Sequence, residues 1–73
     1  MSEELVDEYK RLYPKGTRVE LIYMDDEQAV PSGTKGTVEF VDDMGTIHMK
    51  WDNGRTLGLV PEADIFQKIW EEN

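Results

Sequence analysis

Cysteine is absent from this 73-residue chain, histidine occurs once and serine twice. Without cysteine there is no disulfide staple and no thiolate metal site. A lone histidine makes a zinc site only with several carboxylates beside it. Basic residues are scarce: 8 Lys and Arg stand against 16 Asp and Glu, a formal net charge of -8. That surplus of acid repels phosphate backbones and anionic membrane surfaces and leaves a basic partner open. Long hydrophobic runs are also lacking. No stretch approaches the ~18 apolar residues of a membrane span, and the acidic opening "MSEELVDEYK" is no signal peptide. The expectation is a soluble cytoplasmic protein of one domain, residues 1–73, with the marginal stability of a small core.

What is present is a change of period along the chain. "SEELVDEYKRLYPKG" predicts a helix over 2–12. Ser2 caps it, Glu3 and Glu4 sit in the first turn, and Lys10 and Arg11 sit in the last, as the helix dipole favours. Pro14 and Gly16 stop it. Leu5, Tyr9, Leu12 and Tyr13 form its apolar stripe, which predicts a helix docked on the remainder of the domain. From Thr17 the period becomes two. "TRVELIYM" sets Val19, Leu21 and Tyr23 on one face. The polar "DDEQAVPSGT" follows, then "KGTVEFVD", which buries Val38 with Phe40 if alternation is strict, or Val38 with Val41 if a bulge falls near Glu39. "DDMG" is a tight turn. "TIHMKWD" points Ile47, Met49 and Trp51 one way and His48 and Lys50 the other.

Asn53-Gly54 is a strong hairpin signal, read as a two-residue type I′ turn with both residues at positive φ. It pairs "IHMKW" with "RTLGLV" and places Leu57 and Leu59 in the core with Trp51. Pro61 ends that strand, "PEAD" makes a single helical turn, and "IFQKIW" is the last strand. Strands, turns and the single turn in this order predict a mainly β protein: a five-stranded SH3-like barrel over 17–70 behind an N-terminal helix.

The segments "GTRVELIYMDD", "GTKGTV", "DDMGTIHMKWDNG" and "LGLVPEAD", spread over Tyr13 to Phe66, resemble an uncharacterised family of small bacterial proteins, domain of unknown function 4314. "GTIHMKWDNG" is the most specific of them. The resemblance implies a bacterial or phage origin and the barrel fold, and carries no activity. A looser likeness, through "GTKGTVEFVDD", is to KOW-type barrels of ribosomal and transcription proteins, whose basic RNA-contacting residues are not matched here. Peptide-binding SH3 domains share Tyr23 before the long loop, but not their paired tryptophans.

No residue set requires catalysis. No nucleophile stands beside a base, and "SGTKGT" lacks phosphate-loop spacing. Asp25-Asp26 and Asp42-Asp43 are turn-forming acids without calcium-loop spacing. The protein is therefore expected to be no enzyme, with no metal and no cofactor. It is read as a monomeric interaction module that binds a protein partner through Tyr23, Asp25, Asp26, His48 and Lys50. Trp51, Asn53, Gly54, Leu57, Leu59 and Pro61 are structural. The alternative is a KOW-like nucleic-acid or nucleoprotein module, or an acidic mimic that blocks a nucleic-acid-binding enzyme. Generic nucleic acid is not expected to bind. A patch of Lys35, Lys50 and Arg55 is the basic cluster the sequence leaves open. The distribution of charge discriminates: a basic stripe favours nucleic acid, and a continuous acidic face favours a basic protein.

Overall fold

The computed structural model describes residues 2–25 and 29–70. Helix α1 (Glu3–Leu12) precedes strands β1 (Arg18–Tyr23), β2 (Lys35–Val41), β3 (Ile47–Trp51) and β4 (Ile65–Lys68). The strands make one antiparallel sheet in the order β3-β2-β1-β4. The mainly β class and the N-terminal helix hold. The five-stranded closed barrel does not: among the described residues four strands pair, and the sheet is open.

The missing strand is "RTLGLV", and its loss has a local cause. Leu59 and Ile47 exchange both backbone hydrogen bonds at 2.8 Å, and the Trp51 N–H donates to the Arg55 carbonyl at 2.8 Å. Between these two ends the Leu57 carbonyl accepts from the Trp51 indole Nε1, at 2.7 Å, rather than from a strand N–H. One isolated bridge, Ile47 to Leu59, remains of the ladder. The core contribution survives without the strand, for Leu59 is buried and Leu57 packs against the core.

The hairpin turn also differs from expectation. Gly54 has φ +92°, but no described non-glycine residue has positive φ, so φ of Asn53 is negative. The Gly54 N–H donates to the Trp51 carbonyl at 2.9 Å, one residue before the Trp51–Arg55 bond closes the loop. This is a three-residue loop, a type I turn followed by a left-handed glycine, and not the two-residue type I′ turn. The Asn53 Oδ1 accepts from the Arg55 N–H at 3.0 Å and holds the turn.

Two bulges decide which side chains enter the core. In β2 the pairing passes from Val38↔Met49 to Phe40↔His48. The extra residue, Glu39, turns Val41 inward and leaves Phe40 half exposed, so of the two readings the one with the bulge is correct. In β1 the register shifts between Leu21 and Tyr23. Val19 and Leu21 are buried as expected, but Tyr23 turns to solvent and Met24 takes its place. Trp51 is 2% exposed and lies against Gly36, its partner across β2.

The Ser2 Oγ accepts from the Leu5 N–H at 3.3 Å, as a cap should. The stripe that docks α1 is displaced by one residue from expectation. Val6 is buried and Tyr9 and Tyr13 pack on the core, whereas Leu5 and Leu12 are exposed. Tyr13 meets Phe66 of β4 edge to face at 5.6 Å. After Leu59, the Val60 carbonyl accepts from the Ala63 and Asp64 N–H groups at 2.9 and 2.8 Å, which forms the single turn behind Pro61. The Asp64 carboxylate is nearly buried. It accepts from the N–H groups of Val60 and Asp25 at 2.8 and 3.1 Å, and so ties this turn to the end of β1.

Candidate functional site

One face of the sheet is covered by the core, and alternate residues line the other. Arg18, Thr37 and Lys50 stand side by side across β1, β2 and β3. Beyond the bulge, Phe40 stands opposite His48, and their rings stack with centroids 4.2 Å apart and planes 8° from parallel. An aromatic pair on an open face is usually spent on packing; here Phe40 remains 52% exposed.

His48 is held from below. Its Nε2 lies 2.8 Å from the Asp42 Oδ2. The other carboxylate oxygen of Asp42 accepts from the N–H groups of Met44 and Thr46 at 2.9 and 3.0 Å. The β2–β3 loop thus fixes the carboxylate, and the carboxylate fixes the imidazole. The His48 hydrogen bond, assisted by those two N–H groups, holds the Asp42 carboxyl below the usual range. Lys15 and Lys50 flank Phe40 in a shallow groove of about 480 Å³ that Thr37 and Glu39 also line. Arg18 makes a bidentate pair with Asp52, at 2.8 and 2.7 Å, and also donates to the Thr37 Oγ1 at 2.9 Å. That pairing depresses the Asp52 carboxyl.

The structure brings together two of the expected site residues, His48 and Lys50. It does not bring Tyr23 or Asp25 to them. Tyr23 pairs with Ile65, five residues along β1 from the Arg18 row, roughly 15 Å away at the rise of a strand. Asp25 is exposed there, its N–H spent on Asp64. Asp26 lies outside the described residues. Phe40, Asp42 and Lys15 were missed as members of one site. The Asp42–His48 contact had a signal: a residue at one foot of a hairpin reaches its diagonal neighbour across the turn. Phe40 depended on the bulge, which periodicity does not locate.

The Asp42–His48 pair resembles half of a nucleophile-activating arrangement; Ser2 is engaged as a helix cap. Among the described residues no group of three His, Asp or Glu is placed to hold a metal ion. No described helix is long and apolar enough to cross a membrane. What the face offers chemically is a rigid aromatic surface with cations at its margin.

A family model described as "Domain of unknown function (DUF4314)" matches residues 2–69. The chain belongs to that family. No curated protein and no solved structure matches it.

Proposed function

We propose that this DUF4314 chain is a non-catalytic interaction module that binds a protein partner through the outer face of its sheet. The observation that carries the reading is the exposed Phe40–His48 stack, fixed by Asp42 and flanked by Lys15 and Lys50. Rigid aromatic side chains give contact area at small entropic cost and are enriched where proteins anchor one another. On this reading the module works in the cytoplasm of a bacterium or in the service of a phage, and uses no cofactor. The test is affinity capture of the tagged protein from its host, followed by mass spectrometry. The parent is compared with Phe40→Ala and with Tyr23→Ala at the far end of the sheet. The expected result is a protein retained by the parent and by Tyr23→Ala and lost from Phe40→Ala. Identical proteins on all three baits would overturn the assignment of this face.

A second reading draws on the same rings. Stacked aromatics beside lysines are also what unpaired bases rest on, which supports a nucleic-acid or nucleoprotein module. The acidic mimic draws support from the helix instead, where Glu3, Glu4, Asp7 and Glu8 are all exposed.

A further inference from the structure

Positive charge that is scattered along the sequence is gathered in space. Two open grooves meet at Gly16. The first, about 710 Å³, runs between the end of α1, the Pro14–Arg18 segment and the end of β4, and is lined by Arg11, Arg18 and Lys68 with Leu12, Ile69 and Trp70. The second is the Lys15–Phe40–Lys50 groove of the outer face. Arg11, Lys15, Arg18, Lys50 and Lys68 are five of the chain's eight basic residues. Among the described residues the two linings contain one acid, Glu39. Each groove also carries an exposed aromatic ring, Trp70 at 97% and Phe40 at 52%.

We propose that these two grooves are one continuous track for an extended acidic segment of the partner protein, with bulky apolar residues between its acids. The inference rests on the interaction-module reading and adds the chemistry of what is bound. Charge complementarity selects an anion, because on an otherwise acidic chain negative charge is attracted where the cations gather. The apolar residues select a side-chain-bearing ligand, with Leu12, Ile69 and Trp70 receiving one apolar group and Phe40 another. Arg18 is already paired with Asp52, and Lys68 lies over the Tyr13 ring, 5.2 Å from its centroid. Arg11, Lys15 and Lys50, for which no ion pair forms among the described residues, are the cations the acids of the segment meet.

A nucleic acid fits less well for a physical reason. Its phosphates recur at every nucleotide, so a strand continuing past the track meets the surrounding acids. A peptide carries its acids only where the track has cations.

The chain supplies its own reporter. It has two tryptophans; Trp51 is buried and Trp70 exposed, so a ligand in the first groove shifts the Trp70 emission to the blue. The probes are a tryptophan-free peptide of about ten residues, the length that spans roughly 30 Å when extended, alternating Glu or Asp with Leu or Phe; the same peptide with lysines for the acids; and a single-stranded oligonucleotide of equal charge. The acidic peptide is expected to shift the emission and bind more weakly as salt rises, and the lysine peptide to do neither. In the triple variant Arg11→Glu, Lys15→Glu, Lys50→Glu, three exposed ion pairs are lost, and affinity is expected to fall about tenfold or more. All three positions are on the surface, and an unchanged melting temperature certifies the fold. The track is overturned if no peptide binds, if the lysine peptide binds as well, if the triple variant binds undiminished, or if the oligonucleotide binds more tightly than the peptide. The same triple variant used as bait separates the two claims. If it retains the protein that Phe40→Ala loses, the module stands and the track falls. If no protein depends on Phe40, the assignment of the outer face, on which the track rests, itself fails.

Discussion

Trp51 satisfies two constraints with one side chain. Its ring fills the centre of the core, and its Nε1 satisfies a carbonyl that the frayed ladder leaves over. Truncation to alanine removes both and is expected to cost about 3–5 kcal/mol, a large share of a small domain's stability. Trp51→Phe keeps most of the apolar contact but strands the Leu57 carbonyl, for an expected loss of about 1–3 kcal/mol. Urea denaturation measures both; a Trp51→Ala variant that unfolds with the parent would refute the core assignment. Gly36 is the other half of this fit, because a Cβ there would lie 2.7 Å from the Trp51 Cε3 and 3.1 Å from the Lys50 carbonyl oxygen. Gly54 is constrained by backbone instead: nothing lies within 4 Å of a Cβ built on it, but its φ is +92°. Gly54→Val is therefore expected to lose about 1–2 kcal/mol through strain alone, and Gly54→Asn less, since asparagine tolerates the left-handed region. Equal denaturation midpoints for parent and Gly54→Val would contradict the turn described. At this scale much was legible. Trp51, Ile47 and Met49 share parity, and parity alone places them inside. Asn53-Gly54 announced a hairpin but not its length, because a glycine at positive φ serves both the two-residue and the three-residue loop.

Elements were legible in kind and less so in phase. Each strand that remained in the sheet is close to where alternation predicts it; the error of facing at Tyr23 follows from a bulge, and a second bulge decides between Phe40 and Val41, which alternation left open. A bulge adds one residue without changing composition, and a shift of one residue sends every later side chain to the opposite face. Tyr23 and Phe40 are exposed for that reason. The fourth expected strand was illegible for a different reason: its ladder is interrupted by a side-chain hydrogen bond from Trp51, which no pattern of apolar residues encodes. The helix shows the smallest phase error. Val6, Tyr9 and Tyr13 recur at i, i+3 and i+7, as do Leu5, Leu12 and Tyr9 within one residue, so the sequence supports two adjoining stripes. Burial of Val6 decides between them. Val6→Ala is accordingly expected to cost about 2 kcal/mol and Leu5→Ala no more than about 0.5 kcal/mol. Thermal melts of the two variants provide the comparison. The reverse order would mean that α1 docks by the Leu5 stripe. Removing residues 1–12 altogether is expected to lower the melting temperature and leave a folded sheet, readable as a cooperative transition with retained β signal.

On the scale of the whole molecule, the net charge of -8 was plain in the sequence, and its distribution was not. Of the patch that the sequence left open for Lys35, Lys50 and Arg55, only Lys50 lines the basic grooves; the others there, from Arg11 to Lys68, are brought together by the chain's crossing at Pro14–Arg18. Ion pairs across the fold bind distant parts, Lys10 of α1 to Asp43 of the β2–β3 loop and Arg18 of β1 to Asp52 after β3, and a hydrogen bond joins His48 to Asp42 within the β2–β3 hairpin. Their response to pH follows from the direction of each shift. Asp42 and Asp52 titrate below their ordinary values, the first through its hydrogen bond to His48 and the second through Arg18. A group depressed in the folded state gives stability that is complete above its unfolded pKa, about 4, and is lost as pH falls through the folded value. Lys10 is raised by its bond to Asp43, so its contribution is complete below the ordinary lysine value of about 10.4 and disappears as pH climbs through the raised one. Solvent screens all three pairs, and acid also relieves repulsion among the carboxylates, so the parent's own acid limb mixes opposing effects. The double variant Asp42→Asn, Asp52→Asn isolates one of them. Its amides keep the shape and the Asx-type acceptance from the loop N–H groups but lose the charge. Its melting temperature is expected to lie below the parent's at pH 7, with the gap narrowing as pH is lowered through 4 and vanishing once the parent's own two carboxylates are protonated. A gap that persists unchanged at the lowest pH would assign the loss to packing of the amides, and the charge pairs would then hold none of the fold together.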